Sequence, residues 1–409
     1  MRLKVHTQIL IAIVSGTMVG LALGEKAVHL KVAGDIFIRL LKMIIIPLIL
    51  ASMVAGIVSL GDIRRLGRIG LKTFIYYTAT TLLAVGVGLV LVNVMKPGVG
   101  VDMGAEAAVD MADRETPSII SIIEDIIPEN VFAGMAENKV LSVIFFSLLL
   151  GIAISSTGEK ARPLTAFFES LNTVMMKVTD WIMRLAPVGV FALIAYTIGT
   201  MGLSVVKPLA VYMVTVVLGL GIHAFVTLPV LLILFGKYSP FKFIKDMFSA
   251  VATAFSTASS AATLPITMEC LRENTGVSNK VASFVLPLGA TVNMDGTALY
   301  EAVAAMFIAQ AYGISLSIGQ QLVIMLTATL ASIGAAAIPG AGLVTMVIVL
   351  RAVNLPLEGI GMILAVDRIL DMLRTAVNVW GDACGTAVVA RLEGEELNDK
   401  APNNQTGKN

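Results

Sequence analysis

Six apolar stretches follow one another in the first 235 residues, near 7–24, 33–60, 70–95, 130–155, 164–200 and 204–235. A ~30 Å hydrocarbon core takes about 20 apolar residues in a helix. Lipid offers no partner for exposed backbone N–H and C=O groups, so spans of this kind must be helical. The chain therefore reads as an all-α integral membrane protein. Composition agrees: 57% of the 409 residues are hydrophobic and 14% are charged, against a globular norm of about 25%. Arg2 and Lys4 ahead of the run Ile9–Leu23 have the look of a signal peptide, but the apolar segments that follow favour a retained first membrane helix.

Several function classes drop out. A net charge of +1 gives no basic surface for nucleic acid. Cys270 and Cys384 lie in or beside apolar segments without a CxxC pair, so neither a disulfide framework nor a zinc site is expected. His6, His29 and His223 are dispersed along the chain, which argues against a histidine metal site.

Loop charge sets an orientation. Arg64, Arg65, Arg68 and Lys72 follow the second span, Lys160 and Arg162 the fourth, and Lys237, Lys242 and Lys245 the sixth. These alternate loops share one side, the cytoplasmic one, and Arg2 and Lys4 agree. The loop after the third span sets Asp102, Glu106, Asp110, Asp113 and Glu115 against Arg114, as suits the outer side. The polar tail from Glu393 onward is expected to be disordered.

After Phe235 the apolar segments become interrupted, at about 246–268, 279–312, 319–352 and 357–391. Two are alike: Ser256–Pro265 and Ser332–Gly342 each place small residues and a proline between apolar arms too short to span. Re-entrant hairpins fit such arms, because non-helical tips persist at membrane depth only when buried in protein or lining a watery cavity. Paired broken segments also point to a transporter's substrate site. Close helix packing by small residues is the alternative, but Pro265 and Pro339–Gly340 are expected to break a packed helix.

The last segment carries Asp367, Asp371, Arg374, Asn378 and Asp382. At 100° per residue these fall within roughly 80° of arc, among Ile369, Leu370, Leu373, Val377, Val379 and Trp380. Ionisable groups at membrane depth are costly and mark a binding or transport site. A further break, Asn293–Thr297, sets Asn293, Asp295 and Gly296 inside an apolar helix. Unwound carbonyls and these side chains are hard oxygen ligands, suited to a hard cation such as Na⁺.

Together, TASSAATLPIT (257–267), NMDGTALYEA (293–302), SIGAAAIPGAG (332–342) and DRILDMLRTAVNVWGD (367–382) resemble the glutamate/aspartate transporter family, the dicarboxylate/amino acid:cation symporters. The resemblance covers nearly the whole chain. It implies eight transmembrane helices plus two re-entrant helical hairpins, inverted repeats, and scaffold and elevator transport domains in a homotrimer of the plasma membrane, with both termini cytoplasmic. The implied division is scaffold helices 1–2 over 1–72, transport-domain helix 3 and outer loop over 73–118, scaffold helices 4–5 over 119–203, transport domain over 204–391, and a disordered cytoplasmic tail over 392–409.

By the same resemblance, an acidic amino acid would lie between the hairpin tips, Ser259–Ser260 and Ile338–Gly342, with Thr297, Asp371, Arg374, Thr375 and Asn378. Arg374 offers a fixed fork for a carboxylate, and Asp371 can pair with an α-ammonium, although a simple intrahelical ion pair of these two is the alternative. Asp382, Asn293, Asn378 and the Gly289 carbonyl resemble one sodium site. Asp295, Asn293, Tyr77, Thr80 and Thr81 resemble another. Carbonyls of Thr291, Ser332, Ile333 and Ala335 resemble a third.

Glu301 resembles the acid of proton-coupled members, and two readings stand side by side: a proton carrier, or a structural glutamate hydrogen-bonded to a neighbouring helix. Many relatives carry a second arginine where this chain has Ala258 and Met372; Arg368 lies at a different register.

The expected function is secondary active symport of L-aspartate or L-glutamate driven by Na⁺, H⁺ or both, without an organic cofactor. A C4-dicarboxylate symporter is the near alternative, but a ligand without an amine leaves Asp371 unpaired. An intramembrane aspartyl enzyme using Asp367 and Asp371 fits less well, since both acids share one helix. An anion channel is disfavoured by the deep acids.

Overall fold

The structure, a computed structural model, describes residues 5–59, 67–101, 127–137, 139–202, 206–334 and 341–398. Among them every regular element is helical. The first half comprises α1 (Val5–Leu23), α2 (Lys31–Ser59), α3 (Gly67–Met95), α4 (Val131–Ala136), α5 (Val140–Thr157), α6 (Arg162–Met183) and α7 (Ala186–Met201). Helix α8 (Val206–Gly236) widens into π-turns at His223–Thr227 and Leu232–Gly236. Then come α9 (Pro240–Asp246), α10 (Phe248–Thr257), α11 (Ser260–Cys270), α12 (Asn279–Val292), α13 (Asp295–Ala311), α14 (Ile318–Gly334), α15 (Ala341–Ala352) and α16 (Ile360–Leu392).

The stretches near 7–24, 33–60, 70–95 and 204–235 appear as α1, α2, α3 and α8. The one near 130–155 is divided between α4 and α5. The one near 164–200 is two helices, α6 and α7, that turn at Arg184–Leu185. Pro187 sits in the first turn of α7, where its missing N–H is harmless. Ile11–Val58, Arg68–Met95, Ser142–Ile182 and Val206–Gly236 are long and apolar enough to cross a membrane. Their outer faces expose large apolar side chains, among them Met18, Met43, Ile75, Val90 and Phe225. Such continuous apolar surface suits lipid and not water.

Two packing groups form. In the first, α1 lies along α7, and α2 packs on α5, α6 and α7. Small residues bring α1 and α7 together: a Cβ at Gly20 would stand 2.7 Å from the Ala195 carbonyl. In the second, α13 packs on α3, α14, α15 and α16, while α16 also touches α8, α10 and α12. Every residue of α13 except Gln310 is buried. The groups meet where α16 touches α7 and where α14 and α15 touch α2.

Helices α10 and α11 form a tight hairpin. Ala258 adopts φ 50°, the left-handed region, and reverses the chain. Ser259 is extended, and its hydroxyl caps α11 by accepting from the Ala262 N–H at 3.2 Å. Pro265 does not make the break, as expected from the sequence, but lies inside α11. Only one intrahelical bond is forgone there, a smaller loss than unwinding a helix whose turn is already made at Ala258. Helices α14 and α15 pack as a second pair. The tip between them, with Ala335, Ile338, Pro339 and Gly340, lies outside the described residues.

Two further expectations are corrected. The segment 357–391 is not interrupted: α16 runs unbroken through it. Its glycines serve close approach instead, since a Cβ at Gly385 would stand 2.6 Å from the Tyr77 ring. Nor is the tail disordered from its start. Lys72 and Arg68 pair with Glu393 at 2.7 and 3.2 Å, the Ser278 N–H donates to Glu395, and the Asn398 N–H donates to the Thr275 carbonyl. Residues 393–398 are thereby laced across the ends of α3 and α12; 399–409 lie outside the described residues. Hydrogen bonds from Lys72 and Arg68 hold the Glu393 carboxyl below its usual range.

Candidate functional site

Asp367, Asp371, Arg374, Thr375, Asn378 and Asp382 are all buried, as the helical stripe predicts. Most of the apolar residues between them are covered as well: Leu370, Val377, Val379 and Trp380 are buried, whereas Ile369 is exposed. Arg374, 1% exposed, donates from Nη2 to Asp371 Oδ1 at 2.9 Å and lies 3.1 Å from Asp367 Oδ1. The Tyr300 hydroxyl donates to the same Asp367 oxygen at 2.7 Å. Arg368, half-buried, brings Nη1 to 3.5 Å from Asp371 Oδ2. The intrahelical pair of Asp371 and Arg374 is real, yet it is one edge of a five-residue network.

That network leaves Arg374 half used. Its Nε and Nη1 are buried and have no hydrogen-bond partner. Idle buried donors cost about 1–3 kcal/mol, and a guanidinium accepts a carboxylate in two parallel bonds. Gly342 borders this edge: a Cβ there would stand 3.2 Å from Arg374 Nη1 and 3.3 Å from Thr297 Cγ2. Thr297 is joined to α16 by Asn378, whose Nδ2 donates to Thr297 Oγ1 at 3.2 Å, while the Gly296 N–H donates to Asn378 Oδ1 at 2.8 Å. Thr375 turns its hydroxyl onto the Asp371 carbonyl. Buried Ser260 and half-buried Ser259 sit at the tip of a hairpin that packs on α16. Ile338 lies outside the described residues.

The helix breaks between α12 and α13, where Asn293 takes extended backbone angles. Asn293 Nδ2 donates to Asp382 Oδ1 at 3.0 Å. A Cβ at Gly289 would stand 2.6 Å from both Asp382 Oδ1 and the Tyr77 hydroxyl, so only glycine lets these groups converge. On the other side of Asn293, the Thr81 and Thr80 hydroxyls donate to Asp295 Oδ1 at 2.7 and 3.3 Å, and both also reach the Tyr77 carbonyl. The oxygens of these clusters suit a hard cation. Of the third expected set, Thr291 and Ser332 turn their hydroxyls onto carbonyls of their own helices, α12 and α14, which pack together; Ile333 is buried and Ala335 lies outside the described residues.

Glu301 is fully buried on α13. Thr345 donates to its Oε1, and its Oε2 has no partner. Thr345 and His223 escape the motifs, and Tyr300, although inside NMDGTALYEA, was given no role there. His223 Nε2 stands 3.1 Å from Asp295 Oδ2, with both side chains fully buried. The dispersed spacing of the histidines hid it; the signal available was an ionisable ring inside an apolar span.

Buried charges of both signs, oxygen clusters at a helix break and an apolar exterior define a class: a helical membrane transporter with its site inside the bundle. The chain belongs to the sodium:dicarboxylate symporter family, whose pattern it matches over residues 5–392. It is 42% identical to the proton/glutamate-aspartate symporter of Escherichia coli K12, over 89% of this chain and 85% of that one. It is 38% identical to the proton/sodium-glutamate symport protein of Geobacillus stearothermophilus, over 96% and 95%. Identity to the Homo sapiens excitatory amino acid transporter 3 is 41%, over 89% and 79%. The family and these relatives are transporters, which sets the enzyme reading aside.

Proposed function

We propose that this chain is a secondary active symporter that carries L-aspartate or L-glutamate across the plasma membrane with Na⁺, H⁺ or both. The observation that carries the reading is the idle edge of Arg374, Nε and Nη1, beside Gly342 and Thr297. The side-chain carboxylate of the substrate takes that edge. Its α-ammonium lies toward Asp371 and its α-carboxylate toward Ser259, Ser260, Asn378 and the hairpin tips at Ile338 and Gly342. Thr297 and Thr375 line the same cleft. Two buried acids, Asp367 and Asp371, beside one fully buried arginine favour a ligand bearing an amine over a plain dicarboxylate.

The family is named for sodium, and the names of the relatives carry both Na⁺ and H⁺. In our reading Asp382, Asn293, Asn378 and Gly289 hold one ion. Asp295, Asn293, Tyr77, Thr80 and Thr81 hold a second, and Thr291, Ser332, Ile333 and Ala335 a third. Glu301 takes a proton, which would satisfy its unpartnered oxygen. Binding of ion and substrate to one closed form makes each raise the affinity of the other equally.

The two packing groups support a division into a scaffold over 1–72 and 119–203 and a moving transport domain over 73–118 and 204–391. In this reading eight helices span the membrane, the α10–α11 and α14–α15 pairs are re-entrant hairpins, three copies assemble through the scaffold, and both termini are cytoplasmic.

Calorimetric binding to purified protein tests the substrate. L-aspartate or L-glutamate should bind at least tenfold tighter with Na⁺ than without, and far tighter than succinate. Equal affinity for succinate would transfer the chain to the C4-dicarboxylate reading. Proteoliposome uptake under separately imposed Na⁺, H⁺ and K⁺ gradients identifies the driving ions.

A further inference from the structure

The mechanism above gives Asp295 a task but leaves its buried partner, His223, without one. His223 and Asp295 are both fully enclosed, and their approach at 3.1 Å joins α8 to the start of α13. A carboxylate only accepts, so Nε2 carries the shared hydrogen, while Nδ1 is buried with no hydrogen-bond partner. His223 opens a π-turn in which the Leu228 N–H reaches back to the His223 carbonyl. π-turns widen a helix by one residue and concentrate at functional sites. This one is pinned a second time, because the Trp380 indole N–H donates to the Ala224 carbonyl at 3.0 Å. The turn is thus fastened to α16 on one side and to Asp295 on the other.

The two oxygens of Asp295 are consequently divided. Oδ2 faces His223. Oδ1 faces Thr81 and Thr80, whose hydroxyls retain lone pairs for a cation, with Asn293 Oδ1 alongside, 3.4 Å from the Thr80 hydroxyl. We propose that His223 is a positioning residue for alkali-cation binding. By donating to Oδ2 it locks the carboxylate plane and presents Oδ1 to an ion held with Thr80, Thr81 and Asn293. The inference rests on the reading of Asp295 as an ion ligand. His223 itself does not ligate the ion, because its facing nitrogen bears the hydrogen.

The test uses purified full-length protein and Na⁺ itself, without substrate. Sodium-dependent thermal stabilisation, titrated against choline, gives a Na⁺ midpoint for wild type, His223→Leu, His223→Gln, His223→Asn and Asp295→Asn. Loss of a hydrogen bond to a charged group predicts a midpoint raised about tenfold or more in His223→Leu. The longer amide of His223→Gln should restore the wild-type midpoint, whereas the shorter His223→Asn should not. L-aspartate affinity at saturating Na⁺ should stay within about twofold in all three. Should the leucine variant fail to fold, the contrast of Gln with Asn decides, since the two differ by one methylene and carry the same amide. An unchanged midpoint in His223→Asn, or an unrescued one in His223→Gln, overturns the proposal. Asp295→Asn separates the two levels. If it keeps the wild-type midpoint, the ion-site reading fails; if it shifts while the His223 variants do not, only the positioning role fails.

Discussion

The ring of Tyr300 lies 3.7 Å beneath the guanidinium carbon of Arg374. A cation over an aromatic face gains about 2 kcal/mol or more when desolvated. The hydroxyl of the same ring holds Asp367. Tyr300 therefore fixes the arginine from below and, through Asp367, from the side. What remains open on the guanidinium is the Nε and Nη1 edge, the one we propose for the substrate carboxylate.

Replacing Arg374 with Cys removes that edge and takes the fully buried cation from between two acids that keep only Tyr300 and Arg368 among the contacts described above. Truncating one member of a buried charge pair costs about 2–5 kcal/mol. Affinity for L-aspartate and L-glutamate should fall by at least about a hundredfold, with neutral amino acids becoming the better ligands. Calorimetry with aspartate and serine checks both halves; unchanged aspartate affinity contradicts the site.

Gly342→Ala inserts a methyl group 3.2 Å from Arg374 Nη1. Overpacking typically costs about 1–3 kcal/mol. Here the cost should fall on the bound state, weakening acidic-substrate binding by roughly tenfold while the apoprotein keeps its melting temperature. A variant that melts earlier but binds normally would place Gly342 in the packing and not in the substrate cleft.

Glu301→Gln keeps the shape of the side chain and its contact with Thr345 but carries no exchangeable charge. If Glu301 is the proton carrier, wild-type uptake rises as external pH falls, and the variant loses that slope. Uptake measured from pH 5 to 8 in proteoliposomes distinguishes the cases. A retained slope assigns Glu301 the structural role.

Glu393 joins the end of α16 to Lys72 and Arg68 of α3. Its carboxyl titrates below the usual 4.5 because those two side chains favour the charged form. A depressed acid stabilises the fold above its ordinary range and loses that contribution as pH falls through the lowered value. Glu393→Gln should therefore melt slightly earlier than wild type at pH 7, and the difference should shrink on acidification. The effect is small because the group is near the surface. A difference that grows toward acid would contradict the tie.

Much of this molecule was legible along the chain. Length and hydropathy predict α1, α2, α3 and α8 within a few residues, since a bilayer dictates both. The helical period placed Asp367, Asp371, Arg374, Asn378 and Asp382 on one face, and the structure buries that face. The break at Asn293 was visible in residue type, and so was a hairpin within Ser256–Pro265, though not its turn at Ala258. The misreadings share a cause. Pro265 looked like a break and the segment 357–391 looked interrupted, but whether a residue unwinds a helix depends on what presses against it.

The sequence by itself determined the class of protein, the polar face of α16 and the residue types able to hold an amphoteric diacid with its cations, because periodicity and composition are local properties read against the bilayer. Only the tertiary structure decided which partners those residues meet. His223 and Asp295 are separated by 72 positions, Glu301 and Thr345 by 44, and Tyr300 and Asp367 by 67. Contacts at such separations come from how α8, α13, α15 and α16 pack, and no short stretch of sequence encodes that packing.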